Sequence, residues 1–341
     1  MNKNFFLLTT EKVYKHLGDL ESKKIYNDRV LYSMSNDMCY IRHMITTLYK
    51  KDSDIGKNGG IIFGAGIWGK IFLNTWNDSK WTAFVDNDTE KWGKCIEGLE
   101  VISPAELIDK YRENQIYIVT RIYNKEIQEQ LINMGIDKKY IINIGSILDE
   151  LSNKQYFDLK EIVHDKSEVF VDVGSFDGKT SLNFIKWCNN KYSHIWMFEA
   201  DPINIKKIEN NFDSEHTPNK TTIIPIGIWN EKTVLNFKSL GSGFSSISEK
   251  GERVVVDTLD NMLENQRVTF IKMDIEGAEL PALKGAENII RRQKPKLAIS
   301  IYHHKEDIFD IPAVLLEYNS DYKFYLRHYS LAMYETVLYA V

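Results

Sequence analysis

The spacing of apolar positions divides the chain into a helical start and two stretches in which strands alternate with helices. In residues 1–55, Leu20, Ile25, Leu31 and Met34 recur at a helical period, and "MCYIRHMITTLYK" repeats the pattern. This spacing predicts a helical extension of two or three amphipathic helices. They would act either as scaffold alone or as a cap or dimer contact.

The second stretch, residues 56–146, begins in a polar, glycine-rich linker and continues with short apolar runs separated by helical segments. The runs are "GIIFGA", "WTAFVD", "LEVISPAEL", "QIYIVT" and "YIINIG". They predict a small parallel α/β unit of about four strands, with a helix after Gly69. Residues 147–167 are predicted to form a linker helix and turn.

The third stretch, residues 168–341, repeats the alternation over a greater length. Its apolar runs begin with "EVFVDVG" and "HIWMFEA" and end with "KFYLRHY" and "ETVLYAV". Helices are predicted after residues 178, 202, 279 and 309. The overall prediction is an α/β protein with two Rossmann-like domains and a helical extension.

Composition and charge narrow the function classes. Of 341 residues, 43% are apolar and 27% charged, and the net charge of −5 comes from mixed acids and bases without a basic tract for nucleic acid. Cys39, Cys95 and Cys188 form no CxxC pair and are expected to be free thiols. No apolar run suits a signal peptide or a membrane span, so we expect a cytoplasmic protein without a membrane partner.

The run "IIFGAGIWGKIF" carries glycines at the spacing of a dinucleotide-binding turn, and Asp86 follows about 20 residues later. Such a turn brings backbone N–H groups to a phosphate, and the acid accepts hydrogen bonds from ribose. The stretch is too short for the two halves of a full dinucleotide fold. An NAD-dependent oxidoreductase using residues 61–86 is therefore kept only as an alternative.

The motifs "GAGIWGK", "FVDND" and "GKCIEGLEVISPAEL" resemble the small N-terminal Rossmann-like domain of bacterial nucleotide-sugar-modifying acyltransferases. The resemblance implies a site for a nucleotide or nucleotide-sugar. Its candidate contacts are Gly64, Gly66, Trp68, Asp86 and Asn87. The alternative is a domain kept for packing that binds nothing.

A second glycine turn, "VFVDVGSFDGKT", joins an apolar strand to a helix, and the next strand ends in Glu199. Asp172 and Asp177 flank the turn, which favours a cationic ligand over a pyrophosphate. An acid at Glu199 suits the hydroxyls of one ribose. S-adenosylmethionine has a positive sulfonium, one ribose and no phosphate, so it fits this pattern.

Six motifs in order make residues 168–341 resemble an FkbM-family methyltransferase. They are "FVDVGSFDGKTS", "FEADPINIKKIENN", "DTLD", "IKMDIEGAE", "YHHKED" and "RHYS…ETVLYA". The resemblance implies a class I methyltransferase fold, a seven-stranded sheet whose last strand is antiparallel, with S-adenosylmethionine as donor. Since the chain offers nine strand candidates here, "TVLNFK" and "RVVVDTL" are assigned to a hairpin-like excursion between the third and fourth core strands.

The resemblance also implies the cofactor contacts. They are Asp172, Gly174, Ser175, Phe176, Asp177 and Gly178 at the methionine part, Glu199, Ala200 and Asp201 at the ribose, Ile228 and Trp229 at adenine, and Asp274 near the methyl group. For Trp229, ordinary core packing is the alternative. The Gly/Ser loop at residues 239–251 would be either a lid or a surface loop.

Methyl transfer to a hydroxyl needs in-line alignment and removal of a proton. Asp274, Glu276 and His303 are the catalytic candidates, with His303 as base, Asp274 near the methyl group and Glu276 orienting the acceptor. Alternatively, His303 only forms a hydrogen bond to a loop. A further alternative, which we do not favour, is that the three residues hold a divalent ion, and no metal ligand is assigned. Arg327 and His328 are either acceptor contacts or surface residues.

The sequence thus predicts an S-adenosylmethionine-dependent O-methyltransferase. The acceptor would be a small molecule, a sugar or nucleotide-linked sugar, in surface-glycan (polysaccharide) or natural-product biosynthesis. Neither nucleic acid nor membrane is expected as a partner, whereas a homodimer is. A non-catalytic nucleotide-binding protein is a further alternative.

Overall fold

The structure is a computed structural model that describes residues 3–49, 55–56, 59–214, 220–241, 245–247 and 251–341. Parts of the predicted linker and of the Gly/Ser loop lie outside these ranges. The chain forms two compact units. One comprises the described residues up to Tyr26 together with Tyr156–His328 and Glu335–Val341, and the other comprises Asn27–Gln155 and Tyr329–Tyr334.

Three helices form the start of the chain, as the apolar spacing predicts. They are α1 (Lys3–His16), α2 (Leu20–Ser35) and α3 (Met38–Tyr49). Ile41, Met44 and Ile45 share one face of α3 and are almost fully buried. No helix among the described residues has both the length and the apolar character that crossing a membrane would require.

A six-stranded sheet of order β3-β4-β2-β1-β5-β6 follows. Its strands are β1 (Gly60–Phe63), β2 (Trp81–Val85), β3 (Cys95–Ile96), β4 (Leu99–Ile102), β5 (Gln115–Ile118) and β6 (Ile141–Asn143). The helices of this part are α4 (Ile67–Thr75), α5 (Pro104–Tyr111), α6 (Asn124–Asn133) and α7 (Ile144–Lys154). The expectation of about four strands was too low, because the two-residue β3 is too short to show an apolar period. The helix expected after Gly69 already begins at Ile67, and the predicted linker helix begins at Ile144.

The remaining chain supplies a seven-stranded sheet and a smaller four-stranded one. The strands are β7 (Val169–Val173), β8 (His194–Phe198), β9 (Thr221–Ile224), β10 (Gly227–Ile228), β11 (Thr233–Lys238), β12 (Ser246–Ile247), β13 (Glu252–Asp257), β14 (Phe270–Met273), β15 (Lys296–Ser300), β16 (Phe324–His328) and β17 (Thr336–Ala340). The helices are α8 (Lys179–Trp187), α9 (Pro202–Ser214), α10 (Leu259–Met262), α11 (Glu279–Lys284), α12 (Glu287–Gln293) and α13 (Asp307–Tyr318).

The large sheet has the order β16-β17-β15-β14-β7-β8-β9. The strand β17 runs antiparallel to both of its neighbours, whereas the pairs from β15 through β14, β7 and β8 to β9 are parallel. This confirms the predicted seven strands with an antiparallel last one. Since β7 and β14 are buried along their whole length, they appear in the sequence as largely apolar runs, interrupted only by Asp172 in β7 and Lys272 in β14.

The small sheet, of order β10-β13-β11-β12, is the predicted excursion. Strands β11 and β13 pair antiparallel from Thr233 opposite Val256 to Phe237 opposite Glu252. Alternate residues point to opposite faces of a strand, so Phe237, Val254 and Val256 share one face. This face becomes one wall of the candidate site.

Candidate functional site

A cavity of about 660 Å³ lies at the carboxyl ends of β7, β8 and β14. Ligands of doubly wound folds bind at this edge of the sheet. Glu199, Asp274 and Glu276 supply the acidic part of its lining. The apolar part comes mostly from the excursion and its surroundings, with Ile226, Ile228, Phe237, Ile247, Val254 and Val256.

The turn after β7 requires glycine at two positions. Gly174 has φ +79°, and a Cβ there would lie 2.0 Å from the backbone oxygen of Asp274. Gly178 has φ +78° and immediately precedes α8. Between them Phe176, also at positive φ, reaches the cavity lining. The predicted glycine turn therefore forms one rim of the cavity.

Glu199 lies at the cavity with both carboxylate oxygens engaged by the backbone. Its Oε2 accepts from the N–H of Phe176 at 2.8 Å, and its Oε1 accepts from the N–H of Asp201 at 2.9 Å. Burial raises the pKa of Glu199 despite these two hydrogen bonds. The side chain is thus held rigidly, with lone pairs left for a ligand. Its neighbour Ala200 also lines the cavity.

The two acids flanking the turn do not face the cavity, which corrects the charge argument made from them. Asp172 is fully buried, 3.0 Å from Nζ of Lys272, and accepts from Oγ of Ser181 at 2.7 Å. Asp177 pairs with Nζ of Lys179 at 2.6 Å. Neither acid belongs to the lining, and each is neutralised by a lysine.

Ser175 is a further correction among the expected cofactor contacts. It is buried, and its hydroxyl donates to the backbone oxygen of Asp172 at 2.8 Å, so its hydrogen bond stabilises the turn itself. Gly178 packs against Phe212 and Ile208, where a Cβ would lie 2.9 Å and 3.3 Å away. Neither residue is part of the cavity lining.

Asp201 and Trp229 are likewise placed differently from the expectation. The buried carboxylate of Asp201 accepts from the hydroxyls of Ser239 and Ser245, at 2.8 Å and 2.7 Å, and from the N–H of Gly241 at 2.9 Å. Burial would raise the pKa of Asp201, but these donors outweigh it and lower the pKa. Asp201 therefore holds the described ends of the Gly/Ser loop, and Trp229 lies outside the lining.

The excursion residues Phe237, Ile247, Val254 and Val256, together with Asn204, were missed as site residues. The signal was present in the short, β-branched and aromatic apolar runs "TVLNFK" and "RVVVD", which predict strands, and every second residue of a strand points to the same face. Alternation shows that a strand has an apolar face, but it does not identify what that face covers.

Asp274 and His303 follow the ends of the neighbouring strands β14 and β15. The hydroxyls of Tyr156 and Tyr302 donate to the two oxygens of Asp274, at 2.9 Å and 3.1 Å. Nε2 of His303 lies 3.7 Å from Oδ1 of Asp274 and 3.5 Å from Oε2 of Glu276. The structure thus brings the three predicted catalytic residues together.

Glu279 joins this group and was missed by the sequence reasoning. Its Oε1 lies 3.1 Å from Nδ1 of His303, and its two oxygens accept from the N–H groups of Ile275 and Gly277. The only signal was its place in "MDIEGAE", five residues after Asp274. That spacing alone does not show that a turn folds the two acids onto the same imidazole.

The surrounding acids change the expected role of His303. Burial disfavours the charged imidazole, but the carboxylates of Glu276 and Glu279, with Asp274 beside them, outweigh burial and raise the pKa of His303 to about 11. A histidine that keeps its proton at neutral pH cannot act as the general base. This weighs against His303 as the base, and the assignment itself stays a prediction.

Arg327 and His328 are engaged away from the cavity. Arg327 pairs with Asp19 at 2.6 Å, and Nδ1 of the buried His328 lies 2.9 Å from the hydroxyl of Thr336. Neither is part of the cavity lining. In the described structure both residues therefore stabilise their own unit, which differs from both expected roles.

A second cavity, of about 880 Å³, belongs to the other unit. Its lining includes all five predicted nucleotide contacts, Gly64, Gly66, Trp68, Asp86 and Asn87. The side chains of Asp86 and Asn87 already have hydrogen-bond partners within the protein. Asp86 accepts from the N–H of Ala65 and from Lys91, and Asn87 exchanges two amide hydrogen bonds with Gln130.

Two other features of this cavity remain accessible to a ligand. A Cβ on Gly66 would meet nothing within 4 Å, so the glycine loop faces open space there. Tyr123, which also lines the cavity, is 62% exposed.

The three cysteines of the chain, Cys39, Cys95 and Cys188, are free, as predicted.

Two family models match the chain. Residues 172–324 match the methyltransferase FkbM domain, and residues 57–142 match the C2185-like N-terminal domain. The predicted likeness of the latter stretch to acyltransferases stays a prediction. No curated protein matches the chain in sequence.

Among solved structures, the chain is similar to the FkbM methyltransferase of Methylobacillus flagellatus KT, with 21% identity, a TM-score of 0.54, and coverage of 91% of this chain and 100% of the other. At this identity the likeness shows the fold alone. Weaker similarities are to an rRNA methylase of Streptococcus thermophilus (15% identity, 58% and 93% coverage, TM-score 0.33) and to Aeropyrum pernix fibrillarin (11% identity, 56% and 74% coverage, TM-score 0.34). These last two scores are too low to support an argument.

Proposed function

We propose, from the premise that residues 172–324 form an FkbM methyltransferase domain, that the protein transfers a methyl group from S-adenosylmethionine to a hydroxyl group of a small metabolite. The observation that carries the proposal is the cavity at the carboxyl ends of β7, β8 and β14, which combines Glu199 and Asp274 with an apolar wall. The protein would act in the cytoplasm.

The cavity suits S-adenosylmethionine in charge and in shape. Its acidic lining matches the positive sulfonium and ammonium groups, and its apolar wall matches adenine. At Gly174 the turn approaches the backbone of Asp274 so closely that no side chain fits between them, and Gly174 itself lines the cavity. When bound, S-adenosylmethionine supplies an electrophilic methyl group.

Each cofactor contact then follows from a group that faces the cavity. Glu199 accepts hydrogen bonds from the ribose hydroxyls, because its backbone partners hold it rigidly. Ile228 and Val256 provide apolar surface for the base. Gly174 and Phe176 flank the methionine part, and Asp274, fixed by two tyrosine hydroxyls, lies toward the reacting centre.

We assign the general base to Glu276 instead of His303. A sugar hydroxyl must lose its proton as the new bond forms, and a carboxylate in the lining can accept it. Glu276 lies in the lining, whereas His303 already carries a proton and is surrounded by acids. His303 is then a positioning residue that holds Glu276 and Glu279.

The acceptor class we favour is a nucleotide-linked sugar, and we separately assign nucleotide binding to the cavity around Gly66. The open space at Gly66 gives room for a phosphate group near the start of α4. Trp68 and Tyr123, both in that lining, offer aromatic surface for a base. The pathway would be surface-glycan or natural-product biosynthesis.

The test has two parts. Calorimetry with S-adenosylmethionine should give one site per chain, and mass spectrometry should detect methylation in a panel of nucleotide-sugars, phosphorylated sugars and free sugars. Glu276→Gln should keep donor binding and lose turnover. Failure of the wild-type protein to bind the donor at millimolar concentration would contradict the proposal, and NAD(H) binding in its place would favour an oxidoreductase.

Gly66 allows a separate test of the acceptor class. Its φ of −97° accepts any side chain, so Gly66→Phe fills the cavity without backbone strain, and Gly66→Ala serves as the control. We expect Gly66→Phe to weaken the binding of nucleotide-sugars in calorimetry while binding of S-adenosylmethionine is unchanged. Equal nucleotide-sugar affinity in both variants would show that the nucleotide binds elsewhere.

A further inference from the structure

Asp274, Glu279 and His303 bring two carboxylates and an imidazole together beside the methyl-donor cavity. One oxygen of each acid and one ring nitrogen all lie within 4.8 Å of one another. The acids follow β14 and begin α11, and the histidine follows β15, so three segments converge. Only Asp274 of the three lines the cavity itself.

The histidine of this cluster is buried without a hydrogen bond. The side chain of His303 is only 9% exposed, and neither ring nitrogen forms a hydrogen bond among the described residues. Buried polar groups are nearly always hydrogen-bonded, so this one requires an explanation. Since neither nitrogen is hydrogen-bonded, one of them is available to bind an ion while the other faces a neighbouring carboxylate.

The distances support a shared cation better than direct pairing. Charge-assisted hydrogen bonds are about 2.7–2.9 Å long, whereas the ring nitrogens of His303 lie 3.1–3.7 Å from the nearest carboxylate oxygens. Adjacent ligands around an octahedral cation at about 2.1 Å are separated by about 3 Å. The 3.1 Å between Nδ1 of His303 and Oε1 of Glu279 matches that separation.

We propose that Asp274, Glu279 and His303 bind one divalent cation of the Mn²⁺ or Mg²⁺ class. Two oxygens and one imidazole nitrogen suit such an ion, with water in the remaining positions. Hydrogen bonds orient both carboxylate ligands, since tyrosine hydroxyls donate to Asp274 and backbone N–H groups donate to Glu279. The sequence motifs place Glu276 in such a set with Asp274 and His303, but the geometry replaces it with Glu279.

The role of the cation rests on the proposed function. Because Asp274 borders the cavity, a cation on it would bind the acceptor hydroxyl and lower its pKa. The hydroxyl proton passes to Glu276, the oxygen forms the new C–O bond, and sulfur keeps the electron pair of the broken C–S bond.

The experiment is a titration of the full chain with Mn²⁺. Binding is measured by electron paramagnetic resonance, in which the signal of the free ion decreases as the protein binds it. We expect one site per chain, and at least about tenfold weaker binding in His303→Ala and in Asp274→Asn. Glu306→Gln, an exposed acid on the same loop as His303, is the matched control and should bind like the wild type. Excess Mg²⁺ should displace the bound Mn²⁺.

Thermal unfolding and donor calorimetry on each variant separate a lost ligand from a lost fold. Wild-type protein that binds S-adenosylmethionine but takes up no Mn²⁺ at millimolar concentration would overturn the metal site. So would folded His303→Ala and Asp274→Asn variants that both bind Mn²⁺ with wild-type affinity. Mn²⁺ binding that depends on these ligands, without any donor binding, would support the site and contradict only the proposed function.

Discussion

The buried ion pair of Lys272 and Asp172 gives a sharp test of how the glycine turn is held. The two side chains are 3% and 0% exposed, with Nζ 3.0 Å from Oδ1. Nζ also donates to the backbone oxygen of Gly174 at 2.7 Å, which ties the pair to the rim of the cavity. We predict that Lys272→Met, which removes the charge and keeps most of the volume, destabilises the unit that contains this pair.

The magnitude follows from the burial of both charges. Burial disfavours the charged form of Lys272, but the carboxylates of Asp172 and Asp274 outweigh burial and raise the pKa of Lys272, so the lysine keeps its charge at neutral pH. Removing one partner of a buried ion pair leaves an uncompensated charge and costs about 3–5 kcal/mol. The double variant Lys272→Met with Asp172→Asn should recover part of that loss, because no buried charge remains unpaired.

Urea unfolding followed by circular dichroism measures the free energy of unfolding, and calorimetry measures donor binding on the same samples. We expect Lys272→Met and Asp172→Asn each to unfold at lower urea concentration than the wild type, and the double variant to lose less stability than the sum of the two single losses. A stable Asp172→Asn protein that no longer binds S-adenosylmethionine would refute the reasoning. The acid would then contact the cofactor directly, as the sequence motif suggested.

Three further predictions concern the cavity. Gly174→Ala should lose donor affinity in calorimetry, because its Cβ would lie 2.0 Å from the backbone oxygen of Asp274; wild-type affinity would contradict this. Donor affinity should fall as pH drops through the pKa of Glu199, which burial raises above 4.5, since only the carboxylate accepts from ribose; Glu199→Gln should bind weakly without that pH dependence. Asp201→Asn should weaken donor binding about tenfold by releasing the loop that it holds, whereas the exposed Asp213→Asn on α9 should not.

The sequence by itself determined where the longer buried strands and the main glycine turn lie. Buried parallel strands are mostly apolar, so β7, β14 and β15 are visible as apolar runs without any structural information. Glycine is required at Gly174 by a positive φ and a close backbone approach, and that requirement also appears as a residue type. Glu199 was found because an acid at the end of the second strand of such a fold suits the hydroxyls of a ribose.

Only the tertiary structure decided which acids face the ligand. Asp172 and Lys272 lie opposite each other in the pairing of β7 with β14, and no pattern near Asp172 reveals a partner 100 residues away. The charge state of His303 depends on carboxylates from the turn after β14 and the start of α11. Electrostatic interactions act through space over a few ångströms, so the identity of a residue is set by the chain but its pKa and its role are set by neighbours that folding brings close.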